Sequence, residues 1–160
     1  MRRSAGLLLH RRGPDGWQVL IGHMGGPLWV RREAGAWTVP KGEYTDEDPH
    51  DAAVREFTEE VGVPPPDGPE VSLGDVRQAG GKCVTAWARR ADLDLEQVRP
   101  GRTTVEWPRG SGRRLEIPEL DRVAWVGLGE ARRLVVAAQV ELLDRLELAL
   151  GEQAPGGASA

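Results

Sequence analysis

Glu56, Glu59 and Glu60 stand within five residues of one another, and at about 100° per residue all three fall in one arc of a helix. Ala53, Val54, Phe57 and Val61 occupy the adjacent arc, so the same helix has an apolar face to bury and a carboxylate face beside it. Like charges three and four residues apart destabilise an isolated helix by roughly a few tenths of a kcal/mol per pair. Arg55 offsets only part of that. Hard divalent cations take oxygen ligands, and Mg²⁺ combines a few carboxylates with substrate phosphates and water. The three glutamates are therefore candidate Mg²⁺ ligands. Lys41-Gly42-Glu43 ahead of them supplies backbone groups and a cation at the rim where phosphate oxygens can sit. On spacing alone, a solvated acidic helix face is the alternative.

The charge distribution favours a bound cation. Although the chain of 160 residues carries only −4, the stretch from Gly42 to Val63 holds eight carboxylates and one cation. It sums to −7, leaving +3 for the rest. Such a patch repels a nucleic-acid backbone, so no nucleic-acid partner is expected. Hydrophobic residues make up 39% and the chain has 21 glycines, the usage of one ordinary globular domain, expected over 1–150. No apolar run is long enough to span a bilayer or to form an export signal. Cys83 is the single cysteine and makes no intrachain disulfide, so a cytoplasmic protein is expected.

The elements that must position these groups are readable in outline. Ala5 to Leu9 and Trp17 to Ile21 read as neighbouring strands around a turn at Arg11 to Gly16, and Ala36 to Val39 as a short strand stopped by Pro40. Asp48 and Pro49 start the acidic helix and Gly62 ends it. Val71 to Gln78 and Lys82 to Arg89 read as a hairpin through Ala79-Gly80-Gly81, Thr103 to Ile117 as a hairpin insertion, and Arg122 to Val126 as the last strand. Leucines at near-helical spacing between Gly129 and Leu150 predict a closing helix, with room for a short one before it. Gly151 to Ala160 is small and polar and reads as a disordered tail. Strands before and after a central helix, then a closing helix, predict an α/β/α sandwich with a mixed sheet.

Gly42, Glu47, and Arg55-Glu56-Phe57-Thr58-Glu59-Glu60-Val61-Gly62-Val63 resemble the Nudix box, G-x5-E-x7-R-E-U-x-E-E-x-G-U with U a bulky apolar residue. The fixed charged and glycine positions from Glu47 to Gly62 coincide by chance at about 10⁻⁷ per start position. The departure is at Gly42, which stands one residue too near Glu47. The flanks, Trp37 to Gly42 and Trp125-Val126-Gly127-Leu128 with Glu130-Ala131, are similar to the dinucleoside polyphosphate hydrolase branch of that family. The resemblance implies that Glu56, Glu59 and Glu60 bind Mg²⁺ or Mn²⁺ with help from the Lys41 carbonyl, that Arg55 orients a glutamate, and that Glu47 supports the site. It also implies a general base or further ligand before the last strand. Glu119, six residues before Trp125, has the spacing of that branch, and Glu116 is the substitute.

The implied activity is metal-dependent hydrolysis of a phosphoanhydride in a nucleoside polyphosphate, with asymmetric cleavage of diadenosine tetraphosphate to ATP and AMP preferred. Nucleoside triphosphates, inositol pyrophosphates and ADP-ribose-like compounds are alternatives, and so is a nucleotide-binding module without turnover. Lys82 and Arg77 beside the glycine turn are candidate phosphate contacts, against the ordinary reading of solvated strand ends. Trp29, Trp107 and Tyr44 could stack on a base, although most of the six tryptophans are expected in the core. His23 is the one histidine worth testing, His50 is expected to be exposed, and Cys83 is expected to be buried.

Overall fold

Alternation along the first strand builds the layers, because Ala5, Leu7 and Leu9 enter one core cluster while Leu8 enters the other. The computed structural model describes residues 2–153. In chain order they form β1 (Arg3–Gly13), β2 (Gly16–Met24), β3 (Trp37–Thr38), β4 (Lys41–Glu43), α1 (Pro49–Val61), β5 (Glu70–Arg77), β6 (Cys83–Arg90), β7 (Arg102–Glu106), β8 (Arg114–Pro118), β9 (Leu120–Gly127), α2 (Leu128–Leu134) and α3 (Val140–Gln153). The main sheet runs β3-β2-β1-β6-β5, with β4 pairing β1 and β9 pairing β2. The β1–β6 pair is parallel and the others are antiparallel, which makes the sheet mixed.

Each face has its own core. Ala52, Ala53, Phe57 and Val61 of α1 pack on Ala5, Leu7, Leu9 and Leu20, whereas Leu142, Leu143, Leu146 and Leu150 of α3 pack on Leu8, Val19, Ile21, Val84 and Ala86. This is the expected α/β/α arrangement. No described helix is long and apolar enough to cross a membrane.

Three local readings change. The β1–β2 turn is tighter than Arg11 to Gly16, since Gly13 already pairs with Gly16 and both Arg11 and Arg12 lie in the strand. Val54 is not on the buried face of α1; Ala52 takes that place. Helix α3 extends to Gln153, so the first three residues of the expected tail are helical and its remainder lies outside the described residues.

Candidate active site

Helix α1 begins where the sequence places it. The Asp48 side chain accepts a hydrogen bond from the Asp51 amide, Pro49 fills the first turn, and Gly62 closes the helix in a left-handed conformation (φ 85°) with its amide on the Thr58 carbonyl. With Ala52 on the buried side, the azimuths of Glu56 and Glu60 fall between Ala52 and Ala53, at about 100° per residue. Two of the three glutamates are thus pressed toward the sheet. The third, Glu59, is exposed.

Strand β4 then brings backbone against them. Pairing of Ala5 with Gly42 and Gly6 with Lys41 holds β4 on β1, and the Lys41 amide donates to Glu60 Oε1 at 2.9 Å. Gly42 meets Glu56 so closely that a Cβ there would lie 2.0 Å from its carboxylate, which explains why this position has no side chain. The shortened stretch after Gly42 therefore keeps both contacts, and the missing residue is absorbed between β4 and α1.

Arg55 is the clamp. Its guanidinium donates to both oxygens of Glu47, at 2.6 to 3.0 Å, and also reaches Glu56 at 2.9 Å and Glu59 at 3.2 Å. These carboxylates raise the Arg55 pKa further, with the Glu47 hydrogen bond the largest cause. Glu47 is pulled below the usual carboxylate range by the same contact.

Glu60 and Glu119 are different. Burial, opposed by the Lys41 amide and reinforced by the Glu119 and Glu56 charges, pushes Glu60 up to about 8. Glu119 is also raised, by burial and then by Glu56 and Glu59, and it accepts a hydrogen bond from Glu60. Among the described residues neither forms an ion pair. Glu119 is held at the mouth of β9 by its amide on the Gly101 carbonyl and by its carbonyl accepting from Gly25. Glu116 takes no part in the cluster, since it is exposed on β8 and pairs with Arg102 at 2.6 Å.

The donor set fits a hard divalent cation. Glu56, Glu59, Glu60 and Glu119 converge, and burial with mutual repulsion raises three of them, Glu56, Glu60 and Glu119. A second grouping, Asp48, His50 and Asp51, brings ligand atoms within 4.8 Å of one another. Two of its members are otherwise employed. Asp48 caps α1, and His50 bonds Glu70 at 2.7 Å and sits edge-on to Trp87.

The cations lie at one end of the sheet. Lys41 is half-buried and held below its ordinary pKa by burial and then by Lys82, and Lys82 stands 3.7 Å from Glu43. Arg77 is exposed on β5, where it pairs in register with Cys83, and is one strand further out. Tyr44 packs against the α1-side core and lines a cleft of about 380 Å³ with Arg2, Arg3, Glu47 and Arg55. Arg2 and Arg3 went unnoticed in the sequence, where they precede an ordinary apolar strand; only the parallel β1–β6 pairing sets them beside Lys82. Position 23 is structural. His23 is fully buried, with its ring nitrogens 2.7 Å from Asp121 and 2.6 Å from the Arg32 carbonyl. Cys83 is half-buried, and His50 is half-buried instead of exposed.

The profile of the NUDIX domain family matches residues 1–146. The chain belongs to the Nudix family and is a phosphoanhydride hydrolase of that family. Its fold is similar to that of an Ap4A hydrolase from C. elegans in a binary complex (TM-score 0.66, 21% identity, 95% of this chain and 99% of that one). It is also similar to the NUDIX domain of NrtR from Shewanella oneidensis, crystallised with ADP ribose (TM-score 0.64, 16% identity, 92% and 87%). A third similar fold is the Nudix hydrolase RenU from M. smegmatis (TM-score 0.58, 22% identity, 95% and 87%). No curated protein matches the chain.

Proposed function

We propose that this chain hydrolyses a nucleoside polyphosphate with Mg²⁺ or Mn²⁺, and that its preferred substrate is diadenosine tetraphosphate, cut to ATP and AMP. The observation that carries this reading is the convergence of four carboxylates at one end of α1 with Lys41 and Lys82 at the adjacent rim. Glu56, Glu59 and Glu60 would hold the cation, with the Lys41 carbonyl as a further ligand. When bound, the cation would neutralise phosphate oxygens and make a water more acidic.

The remaining work belongs to the chain's own groups. Glu119 takes the proton of the attacking water as its oxygen joins phosphorus and the bridging P–O bond breaks toward the ATP side. Arg55 fixes Glu56 and Glu59 while Glu47 fixes Arg55. Lys41, with Lys82 and then Arg77, receives the distal phosphates by charge-assisted hydrogen bonds. Tyr44 borders the neighbouring cleft, where its ring can meet the second nucleoside.

Comparing kcat/KM on diadenosine tetraphosphate and ADP-ribose, with identification of the nucleotides released, tests the reading. ATP and AMP in equal amounts are expected, and Lys41→Ala should depress the tetraphosphate more than ADP-ribose. Two ADP molecules, or a clear preference for ADP-ribose, would overturn the substrate while leaving metal-dependent hydrolysis in place.

A further inference from the structure

The β7–β8 hairpin belongs to neither core. It forms its own two-stranded sheet, from Arg102↔Pro118 to Glu106↔Arg114, and leans over the loop that follows β2. Between them lies a cleft of about 330 Å³, walled by Gly25 to Trp29 on one side and by Val105, Trp107, Arg109 and Ile117 on the other. Trp107 is 39% exposed and Leu28 52%, so the chain leaves large apolar groups in water on both walls. Such exposure marks a binding surface when it lines a concavity with a few polar groups.

Both walls are tied to the catalytic end. A Cβ on Gly25 would fall 1.9 Å from the Pro118 carbonyl oxygen, and the Gly25 amide donates to the Glu119 carbonyl at 3.1 Å. The cleft is therefore joined to Glu119 through Gly25, and Ile117 of its other wall stands two residues before it. The hairpin tip is set by Glu106, whose two carboxylate oxygens accept from the Gly110 and Gly112 amides at 2.9 and 3.0 Å. That leaves Arg109 as the charged donor of the cleft, and among the described residues it forms no ion pair.

We infer that this cleft takes the nucleobase attached to the phosphate under attack, with Trp107 and Trp29 offering aromatic surface and Arg109 a donor for ring or ribose oxygen and nitrogen atoms. The inference rests on the nucleotide reading above and adds where the base is held. The volume lies at the small end of ligand sites, which suits a base and its sugar. Stacking on an aromatic side chain suits any base, because every base has a π face. Arg109 is a cation and so favours a base with acceptors at its edge.

Equilibrium dialysis of AMP, against ribose 5-phosphate as the baseless probe and without divalent ions, tests this independently of turnover. The wild-type chain should bind AMP at least about tenfold tighter than ribose 5-phosphate. Trp107→Ala should erase that preference and Trp107→Phe should keep it within about threefold, with melting curves showing both variants folded; Arg109→Ala should weaken AMP and spare ribose 5-phosphate. Unchanged AMP binding in Trp107→Ala, no base preference in the wild type, or a Trp107-dependent dimer in sedimentation with no effect on AMP would each overturn it. A Trp107-dependent base preference in a chain that hydrolyses no anhydride supports the cleft and removes the substrate reading. Metal-dependent hydrolysis with no base preference overturns the cleft alone.

Discussion

Helices α1 and α3 are both amphipathic, both cover the sheet and both carry acidic polar faces, yet they treat those acids oppositely. On α3, Glu141 pairs with Arg145 at 3.1 Å, and Asp144 and Glu147 both pair with Arg132 of α2. Each acid among the described side chains of that helix has its cation, and all are exposed. On α1, a single Arg55 serves Glu47, Glu56 and Glu59, while Glu60 is half-buried against a backbone amide and a second carboxylate. Charge that is cancelled at the surface stabilises a helix; carboxylates that are pressed inward with too few cations are the ones the proposed site would use to hold a metal ion.

The largest expected effect breaks the α1 side. Glu56→Gln or Glu60→Gln should lower turnover by about 10³-fold, in the range of losing a key electrostatic group at a reacting centre. The fold should survive, since each change removes repulsion and keeps the side chain's shape. Turnover at saturating Mg²⁺ and melting of the metal-free chain check this. Near wild-type turnover would mean that the carboxylates are a solvated face after all.

Glu119→Gln should reduce kcat by about 10²-fold, the lower end of what a positioned general base contributes. Metal affinity should change far less, because the proposed ligands of the ion lie on α1. Glu116→Gln is the control within the same segment and should be silent, as its carboxylate is committed to Arg102 on the hairpin. The reverse outcome would assign the base to the hairpin.

Much of this contrast was legible from the chain. The cap at Asp48, the proline after it, the closing Gly62 and the glutamate spacing together specify α1 and its acids, whereas only the family resemblance, through the distance to Trp125, put Glu119 ahead of Glu116. Local rules did not reveal how deep the acids sit. The spacing placed Val54 on the apolar face and assigned Ala52 to neither, and only docking on β1 buries Ala52 in place of Val54, with Glu56 and Glu60 between the two buried alanines. The Lys41 amide on Glu60 needs β4 to pair with β1 across more than thirty residues, and the cleft under Trp107 needs two loops distant in sequence to meet. Neither leaves a periodic trace.

The α3 side should break by stability alone. Leu146 is fully buried among Leu142, Leu143 and the sheet, so Leu146→Ala should destabilise the chain by about 2 to 5 kcal/mol through lost burial and the cavity left. Below its melting transition, the variant should keep kcat within a few-fold. A denaturant titration together with initial rates checks both.

His10 sharpens the comparison through pH. It is buried, lies edge-on to Trp17, and is lowered from 6.5 to about 4 by burial and then by the Arg90 charge. At pH above 6.5 the imidazole is neutral in folded and unfolded chains alike, and it contributes no slope. Between 6.5 and about 4 the unfolded chain takes up a proton that the folded chain refuses, so stability falls as the pH falls and the loss is complete below 4. The expected loss is about 1 to 3 kcal/mol, and His10→Leu should flatten that part of the profile. A slope unchanged by the substitution would place the acid sensitivity elsewhere.

The smallest expected effect falls on the cancelled charges of α3. Asp144 is 59% exposed, and its partner Arg132 retains Glu147 when Asp144 is neutralised. Exposed pairs contribute under about 1 kcal/mol because water and salt screen them and two long side chains lose freedom to meet. Asp144→Asn should therefore shift stability by less than that, less still at high salt, and leave turnover unchanged. The substitution is the same carboxylate-to-amide exchange made at Glu60, on a helix of the same kind, so only the surroundings differ. If Asp144→Asn lowered turnover more than about tenfold, equivalent to about 1.4 kcal/mol at the transition state, the division of labour between the two faces would fail. If both exchanges altered stability alone, the uncancelled charge on α1 would need a purpose other than holding a cation.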